Sequence, residues 1–378
     1  MADERAALYA WHALFLSEPS RSAGAGSPGN SLQQESVVSS AEAADGSGSD
    51  SDSDSDSGSD DGFTPWREDA GSGERDAAAA AHLAAQPTAP PYWRSRYAAR
   101  AGAYWEDFYQ RNQANFFKDR HYLLRDFGRF LGPGASAPLR LIELGCGCGN
   151  ALLPLAARLP RLRAVAFDFS RSAIALLREA LARGDAERPG LGLRERVVCF
   201  ARDAAAPGLA ADAAREAAAA ASAAAAGPST PPLPPQPALQ GGFDVALMLF
   251  MLSAMPPEQH VRILREAALA LRPGGVLLFR DYGFGDAAQL RFARGKMLDR
   301  DGALFARQDG TLAYFFGLPR LRAICAAAGL EEAEEGSARA LFRRYTNRKE
   351  RLELRRVFVQ GAWRRPGAAL AGAGGFVG

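Results

Sequence analysis

Gly145, Gly147 and Gly149 in "LIELGCGCGN" follow an apolar run and precede a helical one. Glycines at this spacing tolerate positive φ and leave bare backbone against which a ligand can lie. Two acids fall at equivalent points further on, Asp168 closing "AVAFD" and Asp203 closing "VVCFARD". A carboxylate at the first point can bind both hydroxyls of a ribose, and one at the second can accept a hydrogen bond from an adenine amino group. A dinucleotide site would want G-x-G-x-x-G and a helix N-terminus aimed at pyrophosphate, but here the third glycine comes one residue early. That spacing, with the acid after the third strand, fits S-adenosylmethionine, which has an adenosine to hold and no phosphate. Each acid alone would serve equally as a strand-end cap; the reading rests on the three features in register.

These residues need a frame that brings strand ends together. Strand and helix patterns alternate: "LRLIEL" then 151–159, "AVAFD" then 173–183, "RVVCF", "FDVALMLF" then 257–271, and "GVLLFRD". Continuous Val, Leu, Ile and Phe runs separated by helices predict a mostly parallel sheet covered on both faces, a doubly wound α/β fold. After a helix near 318–329, runs at 338–343 and in "LRRVFVQGAW" are expected to close the sheet as an antiparallel hairpin. Residues 204–242, an alanine-rich possible helix followed by a proline-rich extended segment, read as a surface insertion between the third and fourth strands. The expected organisation is a disordered tail over 1–91, an aromatic and basic segment over 92–131, the folded domain over 132–365 and a flexible end over 366–378. The tail carries "DGSGSDSDSDSDSGSDDG", an acidic run without a basic residue, so the rest of the chain is more basic than its net charge of +2 suggests.

Composition excludes several classes. No apolar run approaches the roughly 20 residues of a membrane span. The four cysteines, Cys146, Cys148, Cys199 and Cys325, form no C-x-x-C pair, which argues against a zinc site or a dense disulfide framework and for a reducing compartment. Acids among the first residues argue against a secretory or transit signal, so cytosol, with the nucleus as a second location, is the expectation. His121 and His260 lack a second ligand at metal spacing and read as structural or surface residues.

With "YWEDFYQRNQANFFKDRHYLLRDF", "LIELGCGCGN", "AFDFSRSAI", "LFMLSAM", "LLFRDYGFGDAAQLRF", "RQDGTLAYFF" and "YTNRKERLELRRVFVQ" in this order, the chain resembles the tRNA N3-methylcytidine methyltransferases over 92–365. The resemblance implies a class I methyltransferase fold that uses S-adenosylmethionine to methylate cytosine 32 in the anticodon loop of particular tRNAs. It implies cofactor contacts at Trp105, Tyr109, Gly145, Gly147, Asp168, Asp203, Ala204 and Leu249. Partners would be the tRNA anticodon stem-loop and an accessory protein such as seryl-tRNA synthetase. Leu144 stands where the family often has a small residue, and Asp203 is followed by the alanine- and proline-rich stretch where the family has a short connection.

Cytosine N3 carries a free lone pair near neutral pH and needs positioning more than a base. The product ring is cationic, so a carboxylate beside its amino group would stabilise charge that grows during transfer. Asp281 is the candidate, with Arg280 holding it or a nearby phosphate; the alternative is a salt-bridge network that orders the loop. N3 lies on the pairing edge, so the base must be unstacked and unpaired. Aromatic and basic residues interleave over 92–131, and Phe116, Phe117, Lys118 and Arg120 are expected to meet RNA, as are Arg348 and Lys349 in a second basic cluster. A methyltransferase acting on protein or a small molecule, or an inactive cofactor-binding scaffold, remain the alternatives at this level.

Overall fold

The continuous apolar runs become strands buried on both faces in the computed structural model, which describes residues 72–132, 137–225, 242–299, 301, 303–347 and 352–367. In chain order the elements are α1 (Ser72–Ala84), α2 (Pro91–Ala99), α3 (Ala101–Asn112), α4 (Leu123–Leu131), β1 (Leu139–Leu144), α5 (Leu152–Arg158), β2 (Leu162–Asp168), α6 (Arg171–Glu187), α7 (Leu193–Arg196), β3 (Val197–Ala201) and α8 (Leu209–Ala225). There follow β4 (Phe243–Leu249), α9 (His260–Ala270), β5 (Leu271–Tyr282), α10 (Ala287–Leu290), β6 (Leu304–Ala306), β7 (Leu312–Tyr314), α11 (Leu318–Ala327), β8 (Glu331–Glu332), β9 (Arg339–Asn347) and β10 (Leu352–Arg364).

The main sheet runs β3-β2-β1-β4-β5-β10-β8, with β9 paired to β10. Strands β1 to β5 are parallel to one another, and β10 enters antiparallel beside β5 and pairs with β9 as the predicted hairpin. One face is covered by α4, α5, α6 and α7 through Leu123, Phe127, Leu152, Leu155, Leu177 and Leu193. The other is covered by α8, α9 and α11 through Leu209, Ala213, Ile263, Leu264, Leu321 and Ile324. The strand order reverses between β1 and β4, so their carboxyl ends open the crevice where such sheets take ligands.

Two expected boundaries move. Residues 72–91, assigned to the tail, are folded: Leu83 is 2% exposed in a cluster with Tyr282, Met297, Phe305 and Phe315. Ala89 N donates to Met297 O at 2.7 Å. Alanines contribute little apolar area each, but Ala77 to Ala79 are buried, which composition alone disguises. The alanine-rich half of 204–242 is likewise no insertion. It is α8, the crossover helix that a parallel β3–β4 connection requires, with Leu209 and Ala213 buried and Glu266 accepting from Gly208 N and Leu209 N at 2.9 Å each. Residues 226–241, the acidic run and the end beyond 367 lie outside the described residues.

Among the described residues no helix is long and apolar enough to cross a membrane, and no group of His, Cys, Asp and Glu could hold a metal ion.

Candidate functional site

At the end of β1 the chain turns through Gly145, Gly147 and Gly149 with φ of 70°, 52° and 93°. Gly145 N and Cys146 N both donate to Phe167 O, and Gly147 N donates to Asp168 Oδ2 at 2.9 Å. The loop is thereby stitched to the end of β2. Its bare backbone is needed: a Cβ on Gly147 would lie 2.4 Å from Tyr109 Oη, and one on Gly145 would lie 2.3 Å from Met251 Cγ. Asp168 also accepts from Ser170 N at 2.9 Å, and burial raises its pKa against these hydrogen bonds. Each oxygen keeps a lone pair for a further donor such as a ribose hydroxyl.

Trp105 and Tyr109 reach this loop from α3, one turn apart and 6.1 Å between ring centroids. What fixes that helix is Glu106, a residue that motif reading passed over. Its Oε2 accepts from Ser170 Oγ at 2.7 Å and Ser172 N at 3.3 Å, and its Oε1 from Ser172 Oγ at 2.5 Å. Burial alone would raise the carboxyl, but these donors prevail and bring it down to about 2. A second residue missed is Glu143, inside the quoted "LIEL". It is buried, its Oε2 has no hydrogen-bond partner, and burial and the charge of Asp168 hold its pKa well above the usual carboxylate range. An acid in the apolar half of the central strand, beyond Arg140, was the available signal. Trp105 Nε1 is also buried without a partner. Bare glycine backbone, two acids and unpartnered polar atoms in one crevice fit an adenosyl amino acid: ribose hydroxyls on Asp168 and an ammonium group toward Glu143.

On the β3 side, Asp203 stays exposed at the rim, with Oδ1 accepting from Ala205 N at 2.8 Å. Arg202 shapes this turn by donating to the carbonyls of Asp203, Ala206 and Pro207 and by pairing with Asp212 at 2.8 Å. Ala204 packs beneath it in the core. Leu249 ends β4 in the same buried cluster as Cys146. Of the expected cofactor residues, Gly145, Gly147, Asp168, Asp203 and Leu249 stand at or just beyond the carboxyl ends of β1, β2, β3 and β4, Trp105 and Tyr109 come from α3, and Ala204 lies beneath the rim in the core.

The catalytic pair separates. Asp281 is fully buried, with Oδ2 accepting from Ser253 N at 2.9 Å and Oδ1 from Tyr282 N at 2.8 Å. Burial pushes its carboxyl up to about 7, against the bonds from Ser253 and Tyr282 and the charge of Arg307. Arg280 does not hold Asp281 or face a phosphate. It is 3% exposed, pairs with Asp126 and Gln360, and lies 4.0 Å over the Tyr122 ring. Neighbours on a strand point to opposite faces, so Arg280 turns toward α4 and Asp281 toward the other side.

The expected RNA contacts also divide. Phe116 and Phe117 are half-buried and pack edge to face with each other and around Phe108, 4.9 Å and 5.6 Å from it, so they build the support of α3. Arg120 is 7% exposed and turns inward, its guanidinium 4.8 Å over the Phe250 ring. Asn150 causes this by donating to Phe117 O at 3.0 Å and accepting at its own carbonyl from Arg120 N at 2.7 Å. Lys118 remains partly exposed. Arg348 and Lys349 lie outside the described residues. Among the described residues the large aromatics that face solvent are Phe169, 45% exposed after β2, and, on α2, which buries no residue, Tyr92, 62% exposed, and Trp93, 41% exposed; Arg96 lies 5.7 Å over Trp93. His260 is structural: it is buried at 5.0 Å from Tyr314, hydrogen-bonded to Met255 O at 3.0 Å, and burial lowers it to about 4.

A family model described as "Methyltransferase domain" matches residues 116–335. The tRNA N(3)-methylcytidine methyltransferase Mettl2 of Drosophila melanogaster is 32% identical over 312 residues, 80% of this chain and 84% of that protein. The tRNA N(3)-methylcytidine methyltransferase trm141 of Schizosaccharomyces pombe is 31% identical over 72% of this chain and 96% of its own length. The tRNA N(3)-cytidine methyltransferase METTL6 of Mus musculus is 34% identical over 69% of this chain and 80% of that protein.

Proposed function

The chain belongs to the tRNA N(3)-cytidine methyltransferase family, and from that premise we propose that it methylates N3 of a cytosine in tRNA, at nucleotide 32 of the anticodon loop. The observation that carries this reading is similarity across the whole domain to proteins of that one activity, 80% of the chain in the Drosophila relative.

Bound S-adenosylmethionine supplies a methyl group on a positively charged sulfur. The chain's own residues do the rest. Asp168 and the Gly145–Gly149 backbone fix the nucleoside half, Asp203 bounds the adenine side, and Glu143 faces the amino acid half. Glu106 locks α3 so that Trp105 and Tyr109 close over the loop and exclude water. N3 carries no proton to remove, so no general base is required. With the cofactor so held, N3 would gain the methyl carbon while the sulfur kept the electron pair of the broken bond, and positive charge would move onto the pyrimidine. Ionised Asp281, beside the loop after β4, lowers the energy of that growing charge. Its bond to Ser253 makes it a positioning group for the same loop.

The target must be unpaired for N3 to be reached, which favours a loop nucleotide. Exposed Tyr92 and Trp93, with Arg96 and Lys118, suit loop bases and phosphates. Seryl-tRNA synthetase is the accessory protein proposed to present the substrate. Incubation with total tRNA and labelled cofactor, with and without that synthetase, followed by nucleoside analysis and mapping of the modified position, tests all of this. N3-methylcytidine at nucleotide 32 is the expected product; label in another nucleoside, or none, would refute it.

A further inference from the structure

The carboxyl end of β4 holds a backbone strain that the glycine loop does not account for. Phe250 has φ of 53°, and the other non-glycine residue with positive φ among the described residues, Gln113, merely ends a helix. A bulky aromatic residue in this region is an outlier of the kind that concentrates at ligand sites. Two bonds enforce it: Phe250 N donates to Arg280 O at 2.8 Å, and Ser253 N donates to Asp281 at 2.9 Å. The strain turns the ring, half-buried, over the carboxyl edge of the sheet. There it meets Tyr282 at 5.2 Å and Phe358 at 5.6 Å between centroids. Its chain neighbours already belong to the crevice, Leu249 on one side and Met251, against Gly145, on the other.

One further observation says what this face accepts. The Arg120 guanidinium, planar and cationic, lies 4.8 Å over the Phe250 ring. A cytosine that has gained a methyl at N3 is also planar and cationic. We propose that Phe250 is the stacking floor for the target cytosine, and that its π face stabilises the positive charge the base acquires as the N3–carbon bond forms and the electron pair leaves with sulfur. The guanidinium of Arg120 gives way to the base on this face. An aromatic face attracts a cation more strongly than a neutral ring, so the interaction strengthens toward the transition state and acts on turnover more than on binding. The inference rests on the N3-methylation reading above and adds the residue that receives the base.

The test uses the full chain with tRNA and the synthetase where needed, comparing wild type with Phe250→Leu, Phe250→Tyr and Phe250→Asn. Single-turnover rate at saturating cofactor and tRNA, KM for tRNA, S-adenosylhomocysteine affinity by calorimetry and melting temperature are read together. Phe250→Leu is expected to lower the saturated rate by roughly tenfold or more while leaving S-adenosylhomocysteine affinity within about threefold, and Phe250→Tyr to restore most of the rate. Phe250→Asn accepts positive φ more readily, so it keeps a folded protein in which the stacking face alone is gone, and it too loses turnover. A full saturated rate in either the Leu or the Asn variant overturns the proposal, as does a loss that follows cofactor affinity or melting temperature. Wild type that makes no N3-methylcytidine would instead remove the reading beneath it; an active wild type with a fully active Leu variant sinks this inference alone.

Discussion

Replacing Asp281 by asparagine separates charge from shape at the candidate catalytic group. Its carboxyl sits at about 7, well above an ordinary aspartate, because burial favours the neutral form by about 4 kcal/mol. The folded pKa is raised, so this stability is fully present below about pH 4 and is lost as pH rises through about 7. Stabilising a cationic ring needs the ionised form. The single-turnover rate should therefore stand near a tenth of its plateau at about pH 6, near half at about 7, and level off above about 8. Cytosine N3 is unprotonated throughout that range and does not produce the same profile. In Asp281→Asn one of the two backbone donors, Ser253 N and Tyr282 N, faces an amide NH₂, which costs about 1–3 kcal/mol. The variant no longer ionises in a buried site, so at pH 8 its melting temperature should match or exceed that of wild type. Its rate should fall by about 10²–10³ and lose the step near pH 7. Transfer to tRNA between pH 6 and 9 with melts at each pH decides the matter. A flat wild-type profile together with a fully active Asn variant would mean that Asp281 only holds the Ser253 loop.

Three further outcomes follow from the geometry. Asp168→Ala removes the acceptor of Gly147 N and Ser170 N together with the proposed ribose ligand, and calorimetry should show no S-adenosylhomocysteine binding in a protein that still folds. Glu106→Gln weakens the clamp on α3 by about 1–2 kcal/mol, so cofactor affinity should fall up to about tenfold while the saturated rate holds. The Glu106 pKa is depressed to about 2, so its contribution is present above the ordinary glutamate range and lost as pH falls toward 2, a loss that acid unfolding of the Gln variant should lack. A chain that begins at 92 exposes the Leu83 cluster, and compared with one that begins at 72 it should lose about 2–4 kcal/mol and melt several degrees lower.

What could be read from the chain and what could not divides along the range of the forces involved. Strands β1 to β5 announce themselves because a sheet covered on both faces needs unbroken apolar runs, and the acids that end them stand out against that background. The glycine loop is local, and all three residues take the positive φ that their spacing suggests. The folding of residues 72–84 and the docking of α8 on the sheet are hidden by composition, although the helix of α8 itself is legible in its alanines. Alanine reads as low complexity, yet it is also the residue of choice where a helix must approach a surface closely, and only the tertiary partner distinguishes the two.

The fate of the Arg280 and Asp281 pair shows a different limit, since strand periodicity already forbade their partnership. Leu278 and Arg280 belong to the face under α4, while Phe279 and Asp281 belong to the opposite one. What periodicity could not supply is the partner across space: Asp126 and Gln360 for the arginine, 154 and 80 residues away, and Ser253 for the aspartate. The split gives β5 two jobs. Its arginine ties α4 and β10 to the sheet from one side, and its aspartate draws in the loop that strains Phe250 from the other. Packing on one face of β5 and hydrogen bonding on the other thus together hold the strained Phe250 backbone and the buried Asp281 carboxyl, the condition under which strain and a raised pKa persist in a fold.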